Sequence, residues 1–300
     1  MVVAIAILGP TAAGKTALAL EYATRASVEI INLDAMQIFR GLDIGTAKPT
    51  PDERQQAPHH LFDIREPDQP LGAGAYAELA ESLCKEILAR GATPLFVGGT
   101  VFYFQVLKQG LAPIPDIPAT IRQELRAGLE EEGLPSLRLE LERVDPEWAA
   151  QIHPNDTQRT TRGLEVYRHT GRALSTFLKE PRQGALSTEI HDFMVDPGPE
   201  LLDERINIRA EEMLAAGLEQ EVRAVLDRGY GTGVHGLTAP GYREVLAYIE
   251  GIIEPAELAP AIAQSHRRFA KRQRTFLRSV GELSPITTSS ELEEQLHDKG

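Results

Sequence analysis

Apolar and polar positions alternate along this chain in two distinct periods. Val2 to Leu8 is a continuous apolar run rich in β-branched residues and closed by Gly9-Pro10, the pattern of a strand covered on both faces of a parallel sheet. The period becomes helical from Lys15 to about Thr24, and Val28 to Leu33 predicts a second short strand. An amphipathic stretch over 74–90 places Tyr76, Leu79, Ala80, Leu83 and Ile87 on one helical face, and Pro94 to Val97 predicts a third strand. Strand, helix and strand at this spacing indicate an α/β sheet with right-handed crossovers. Residues 41–72 carry prolines at 49, 51, 58, 67 and 70 and show no clear period, so they predict long loops over the sheet edge.

The pattern shifts at the proline-rich joint from Leu111 to Pro118. From 119 to about 185 the periods are helical, interrupted at Gly133-Leu134-Pro135 and at His153-Pro154-Asn155-Asp156, with no convincing strand. Phe193-Met194-Val195 reads as a return strand to the sheet, Leu201 to Arg228 as one long helix, and the polar tail from Glu291 as frayed. The expected organisation is a core of residues 1–112 and 188–300, with a helical insertion over 113–187.

Composition narrows the function classes. The chain has 300 residues, 42% of them hydrophobic, enough for a sizeable core. With 31 Lys and Arg against 44 Asp and Glu, the net charge of −13 excludes a uniformly basic nucleic-acid-coating protein but leaves room for a local basic patch. The single cysteine, Cys84, falls on the apolar helical face and reads as core. The opening MVVAIAILGP is too short to span a bilayer and lacks a basic leader, so a cytoplasmic protein without a membrane partner is expected.

Gly9-Pro10-Thr11-Ala12-Ala13-Gly14-Lys15-Thr16 matches G-x-x-x-x-G-K-[ST] between a predicted strand and a predicted helix. In such a loop backbone N–H groups hold phosphate oxygens, Lys15 adds charge, and the Thr16 hydroxyl can ligate Mg²⁺. The motif leaves open whether the phosphates belong to a nucleotide or to another diphosphate. Asp34 follows the second strand, where open α/β sheets place their sites; it can serve as a helix N-cap, a magnesium-shell carboxylate or a reacting group. Gln37 is close enough to share that site, and Gly98-Gly99-Thr100 ends another strand with a hydroxyl. His59-His60 lack an accompanying ligand set of recognisable spacing and read as structural. Asn155-Asp156 cap the next helix, on which Arg159 and Arg162 share a face.

The strongest electrostatic feature lies near the C-terminus. Six basic residues fall in the twelve from Arg267, with no acid between Leu258 and Gly281. Arg267, Lys271, Arg274 and Arg278 step by 4, 3 and 4, which a helix aligns on one face suited to a polyanion backbone. A diphosphate loop together with a basic helix suggests an enzyme with two substrates, one of them a nucleic acid.

Taken in order, these residues resemble the tRNA dimethylallyltransferases, also called tRNA isopentenyltransferases. The resemblance rests on GPTAAGKT at 9–16, Asp34 to Gln37, Gly41 to Pro49, Pro58-His59-His60-Leu61 and Val97 to Thr100. It continues through Ile152 to Asp156 with Gln158, Arg159 and Arg162, then Glu221-Val222-Arg223, Gly241-Tyr242-Arg243-Glu244 and Ala270-Lys271-Arg272-Gln273, covering roughly 3–280. Phe39-Arg40, Phe276 and Ala239-Pro240 depart from the family's usual residues. Loss of a hydroxyl at Phe39 leaves a stacking role open.

The resemblance implies a P-loop NTPase-like parallel sheet core with an inserted helical domain. It also implies transfer of a dimethylallyl group from dimethylallyl diphosphate to N6 of adenosine 37, beside the anticodon, releasing diphosphate with Mg²⁺ as cofactor. Asp34 would be the general base, Thr100 would place the amine, and Arg223 would join the loop in stabilising the leaving group. Residues implied to meet the anticodon stem-loop are Asp34, Ala35, Met36, Gln37, Thr100, Arg122, Gln158, Arg159, Thr160, Thr161, Arg162, Tyr242, Arg243 and the 267–278 stripe. A monomer is expected. A small-molecule kinase using ATP explains the loop and Asp34 but leaves the basic helix and the insertion idle; a nucleotide-gated RNA-binding switch is the non-catalytic alternative.

Overall fold

The computed structural model describes residues 3–299, so Val2, read as part of the first strand, lies outside them. Six parallel strands form one sheet: β1 (Val3–Leu8), β2 (Val28–Asn32), β3 (His59–His60), β4 (Thr93–Gly98), β5 (Glu189–Met194) and β6 (Ser284–Pro285), in the order β3-β2-β4-β1-β5-β6. β1 is central, with Ile5 to Leu8 paired to Leu95 to Gly98 on one side and to His191 to Met194 on the other. That explains its unbroken apolar run: a strand flanked by strands and covered on both faces has no polar side to present. Ile7, Leu8, Ile31, Leu33, Phe96 and Phe193 are fully buried at the centre.

Helices α1 (Lys15–Ala23), α2 (Pro51–Arg54), α3 (Ala73–Ala89) and α4 (Val101–Gln109) connect the first strands. The 41–72 region is long loop as expected, interrupted by α2 and by the two-residue edge strand β3. Its histidines are structural: His60 pairs with Glu29 across 2.7 Å and His59 Nδ1 lies 2.7 Å from Ala57 O. Cys84 is buried, with its thiol pushed up to about 12 by that burial.

The chain divides into two compact units, one running to Lys108 and resuming at Leu186, the other Gln109–Ala185. The second contains α5 (Ala119–Val144, broken at Gly133), α6 (Pro146–Gln151), α7 (Thr157–Thr170) and α8 (Leu174–Leu178). Leu125, Leu137, Leu141, Ile152 and Leu164 form its core. Asp145, almost fully buried, accepts from Trp148 N–H (3.0 Å) to cap α6 and from Ser175 N–H (2.9 Å) to fix α8.

The first unit resumes with β5, α9 (Pro199–Ala215), α10 (Leu218–Asp227), a 3₁₀ turn at His235–Thr238, α11 (Tyr242–Ile249), α12 (Pro255–Leu277), β6 and α13 (Ser289–Lys299). Two expectations are corrected here. The helix read over 201–228 is two helices, because Gly217 turns left-handed (φ 99°) between α9 and α10. The tail is ordered rather than frayed: Leu292 is fully buried, Ser289 Oγ donates to Glu21 of α1 (2.9 Å), and Arg25 approaches Glu293. Charged residues around one buried leucine disguise that helix as solvated chain.

Candidate active site

Three strand ends, those of β1, β2 and β4, meet at the carboxyl edge of the sheet. After β1 the loop from Gly9 to Thr16 winds through left-handed backbone at Ala12 (φ 62°) and Gly14 (φ 98°), the alternation that turns successive N–H groups inward as an anion nest. Gly14 is the N-cap of α1 and no side chain caps that helix, so its first N–H groups stay available to an anion. Lys15 Nζ donates to Pro10 O (2.7 Å) and so lies folded over the loop. Burial pushes its pKa down to about 8, against the attraction of Asp34.

Asp34 sits just past β2. Its Oδ1 accepts from Met36 N–H (2.8 Å), and enclosure by protein raises its carboxyl above the ordinary range despite that bond and Lys15. The chain beyond β4 supports this turn directly. Gly98 passes so close to β2 that a Cβ there would sit 2.1 Å from Leu33 O. The close approach lets Thr100 N–H donate to Leu33 O (3.1 Å) while Thr100 Oγ1 accepts from Ala35 N–H (2.9 Å); among the described residues the hydroxyl proton has no acceptor. Gln37 Nε2 donates to Thr46 O (3.0 Å) and Ala47 O (3.2 Å), which fixes its carbonyl end.

Gln273 of α12 joins the two strand-end loops. Almost fully buried, it accepts from Thr11 N–H (2.8 Å) and donates to Gly99 O (3.0 Å). The Asp43 to Lys48 segment is held just as firmly. Glu221 of α10 accepts from the N–H groups of Asp43 (2.7 Å), Ile44 (2.8 Å) and Gly45 (3.1 Å) and from Tyr242 OH (2.7 Å). Lys48, buried, bridges Asp43 and Asp63, each at 2.6 Å.

These pieces surround a cavity of about 520 Å³. Thr11 to Ala17 line one wall and Asp34, Met36 and Gln37 another; Val97, Ala239, Pro240 and Phe269 add apolar surface. Its charged lining sets four cations, Lys15, Arg209, Arg243 and Arg272, against two carboxylates, Asp34 and Glu53. An electropositive pocket in a chain of net charge −13 is suited to an anion. The pKa of His266, also in the wall, is lowered, chiefly by burial.

The structure brings some expected residues together and removes others. Thr11 to Thr16, Asp34, Met36, Gln37 and Arg243 all line the cavity, with Ala35 and Thr100 hydrogen-bonded behind Asp34. Arg223 does not: it lies on the exposed side of α10, bonded to Glu219 one turn away (2.8 Å), outside the lining. Thr160 and Tyr242 are buried, so neither side chain can meet an RNA; Tyr242 instead packs under Gly45 and serves Glu221. Phe39 is also fully buried, edge-on to His235, which removes it from stacking on a base. Of the basic stripe, Arg274 is committed to Asp196 (2.8 Å), which follows β5, and Arg267 to Asn207 (2.8 Å) of α9, on which α12 packs; Lys271 and Arg278 remain exposed. In the second unit Arg122, Gln158 and Arg159 are exposed, Arg159 beside Asp156 (2.8 Å) and Arg162 beside Glu165 (3.0 Å). Thr161 Oγ1 is turned back onto Thr157 O (3.0 Å).

The phosphate loop raises the question of Mg²⁺. The Thr16 hydroxyl lines the cavity and makes no hydrogen bond among the described residues, and no cluster of three metal-ligating side chains occurs among them. A free hydroxyl there fits a magnesium ion carried in on a diphosphate, which keeps most of its waters and needs only one or two protein oxygens.

Sheet order, loop geometry and cavity together define an α/β enzyme core of the P-loop NTPase-like type. Residues 37–280 match the family described as IPP transferase, and the chain belongs to that family. It is 43% identical over 296 residues to a tRNA dimethylallyltransferase of Halorhodospira halophila, covering 98% of this chain and 95% of that one. Among solved structures it resembles the tRNA isopentenylpyrophosphate transferase of Bacillus halodurans, with a TM-score of 0.71 and 32% identity over 99% of this chain and 95% of that one. It also resembles a eukaryotic dimethylallyltransferase acting on tRNA, with a TM-score of 0.79 and 25% identity over 92% of this chain and 70% of that one.

Proposed function

We propose that this protein transfers a dimethylallyl group from dimethylallyl diphosphate to N6 of adenosine 37, next to the anticodon of tRNA, and releases diphosphate. The observation that carries this reading is the shared cavity: a phosphate loop and a carboxylate with a raised pKa face one space, with Met36, Val97, Ala239 and Pro240 offering apolar surface for a prenyl chain. A kinase accounts for the loop and the carboxylate but has no use for the apolar surface beside them.

The diphosphate lies on the N–H groups of the 9–16 loop and the start of α1, with Lys15 over it. Thr16 would hold Mg²⁺ together with the phosphates, and the ion would supply further charge neutralisation on the leaving group. The exocyclic amine of adenine is a poor nucleophile, so Asp34 accepts its proton as the nitrogen bonds to the allylic carbon. Thr100 fixes the Ala35 backbone behind Asp34 and keeps a hydroxyl proton to orient the base. The base must leave its stack to reach Asp34. Exposed cations suited to tRNA phosphates are Arg122 and Arg159 in the inserted unit, with the half-exposed Arg162, and, separately, Arg243, Lys271 and Arg278 in the first unit. The protein acts as a cytoplasmic monomer; among the described residues no helix is long and apolar enough to cross a membrane.

Incubation with isotope-labelled dimethylallyl diphosphate or γ-labelled ATP, with and without unmodified tRNA, tests this. Label entering tRNA from the prenyl donor alone is expected. Label moving from ATP to a small molecule in the absence of tRNA would instead establish a kinase.

A further inference from the structure

Glu221 of α10 stands outside the cavity lining, yet it holds the segment on which one cavity wall depends. Its Oε2 accepts from the N–H groups of Asp43 (2.7 Å) and Ile44 (2.8 Å), and its Oε1 from Gly45 N–H (3.1 Å) and Tyr242 OH (2.7 Å). The Tyr242 ring closes the clamp: a Cβ on Gly45 would sit 2.4 Å from its Cζ. Only a carboxylate meets four donors in this way. An amide in its place has one oxygen and would turn its own N–H groups toward backbone N–H groups.

The residues that follow are shaped by this hold. Ala47 adopts left-handed backbone (φ 50°), which residues with a side chain keep only where their surroundings enforce it. Its N–H donates to Ile44 O (3.0 Å), and Lys48 N–H donates to Asp43 O (3.0 Å), so the turn closes on two of the residues that Glu221 holds. The carbonyls of Thr46 and Ala47 are thereby aimed at Gln37 Nε2, at 3.0 and 3.2 Å. A carbonyl only accepts, so both amide protons of Gln37 are spent and Oε1 is its free end. Gln37 lines the cavity with Asp34, and its backbone N–H favours the ionised form of that carboxylate. This wall thus offers two acceptors, the Asp34 carboxylate and Gln37 Oε1. An exocyclic amine has two N–H bonds to match them, whereas an oxo group would meet them oxygen to oxygen.

We infer that Glu221 is a positioning residue for base selection: by fixing the 43–45 backbone it keeps Gln37 with only its carbonyl oxygen toward the cavity, so that Gln37 and Asp34 together admit a 6-aminopurine and reject a 6-oxopurine. The inference rests on the prenyl-transfer reading for the nature of the acceptor base.

The test uses anticodon stem-loops carrying adenosine or inosine at position 37, inorganic diphosphate, and the variants Glu221→Gln, Gln37→Ala and the two combined. Fluorescence anisotropy gives stem-loop affinities, calorimetry gives diphosphate affinity, and labelled prenyl donor gives turnover. Wild type is expected to bind the adenosine stem-loop more tightly than the inosine one. Glu221→Gln should lose about tenfold of that preference and lower kcat/KM for the adenosine stem-loop, with diphosphate affinity and KM for the prenyl donor near wild type. Gln37→Ala should lose a similar share, and the combined variant no more than the larger single loss, because both residues act through one network. Tyr242→Phe withdraws one donor and keeps the ring. It should show the same shift at smaller size, and it carries the comparison should Glu221→Gln fail to fold. A Glu221→Gln or Tyr242→Phe protein that melts lower but keeps the full adenosine preference would reduce the clamp to packing and overturn the inference. Losses that multiply in the combined variant, or a wild type indifferent to the two bases, would overturn it as well. A wild type that prefers adenosine but transfers no prenyl group would support the positioning role while removing the proposed reaction.

Discussion

Asp34 and Lys15 owe their altered acidities chiefly to enclosure, which disfavours each charged form and so raises the carboxyl and lowers the ammonium. The raised Asp34 is a better base than an exposed carboxylate, and the charge of Lys15 favours its ionised form. Asp34→Asn keeps the shape and the bond from Met36 N–H but removes the proton acceptor, so kcat is expected to fall roughly 10²- to 10⁴-fold. tRNA affinity should stay close to wild type, because no backbone contact changes; filter binding beside single-turnover kinetics checks both, and turnover above about a tenth of wild type would reject the role. Lys15 gives a second expectation at alkaline pH. In its proposed role it binds diphosphate as an ammonium, and with its pKa lowered to about 8 the free enzyme loses that charge as pH rises through this value. KM for dimethylallyl diphosphate should therefore climb between pH 7 and 9.5, and Lys15→Arg, which keeps its proton across that range, should flatten the climb whatever its baseline. The linkage sign agrees: an unfolded lysine holds its proton to about 10.5, so the unfolded chain binds more protons between the two values and the ligand-free fold gains stability there as pH rises. The loop, Asp34 and Thr100 are all legible in sequence because each is a short string at the end of an apolar run. Arg209 is not: Arg205 and Arg209 four apart on a charged helix look like a solvated face, and nothing local says that they reach a loop almost two hundred residues earlier.

At the scale of elements, α12 is less a basic surface than a brace between the two loops on which the chemistry depends. Gln273 gives the Thr11 N–H its acceptor and the Gly99 carbonyl its donor, and a Cβ on Gly99 would sit 2.2 Å from the Gln273 amide nitrogen, so this join needs glycine there. Gln273→Met fills the space but leaves both backbone groups unmatched, which should cost about 1–3 kcal/mol of stability per group. Its specific signature is kinetic: KM for the prenyl donor should rise and kcat fall together, while affinity for tRNA is kept. A variant with only a lower melting temperature would reduce Gln273 to a packing residue. The basic periodicity of this helix was readable, but its partners were not. Asp196 follows β5 and Asn207 lies on α9, and only the packing of α9 on α12 shows that two of the four aligned cations are already engaged. The break at Gly217 was missed because apolar spacing continues through it, and the α13 segment because one buried leucine among acids makes no period.

For the whole molecule the governing question is how a chain of net charge −13 grips a polyanion. The answer has to be local, and the structure revises which charges are free to act. Replacing all four stripe residues would confuse two effects, since Arg274→Gln strands the part-buried Asp196 and Arg267→Gln breaks a bond to α9. Lys271→Gln with Arg278→Gln removes only exposed cations, and Arg159→Gln with Arg122→Gln does the same in the inserted unit. Each lost phosphate contact returns counterions to the RNA, so the slope of log K for tRNA against log salt should shrink by up to about one unit per contact. Each double variant is therefore expected to bind tRNA more weakly at low salt, with a slope shallower by up to about two units and unchanged affinity for inorganic diphosphate. Salt titrations from low to moderate ionic strength, with circular dichroism to confirm folding, decide the matter unit by unit. An unchanged slope for Lys271→Gln/Arg278→Gln would leave the cavity-rim cations Arg243 and Arg272 as the grip of the first unit, and an unchanged slope for the second pair would remove the insertion from RNA binding at these positions.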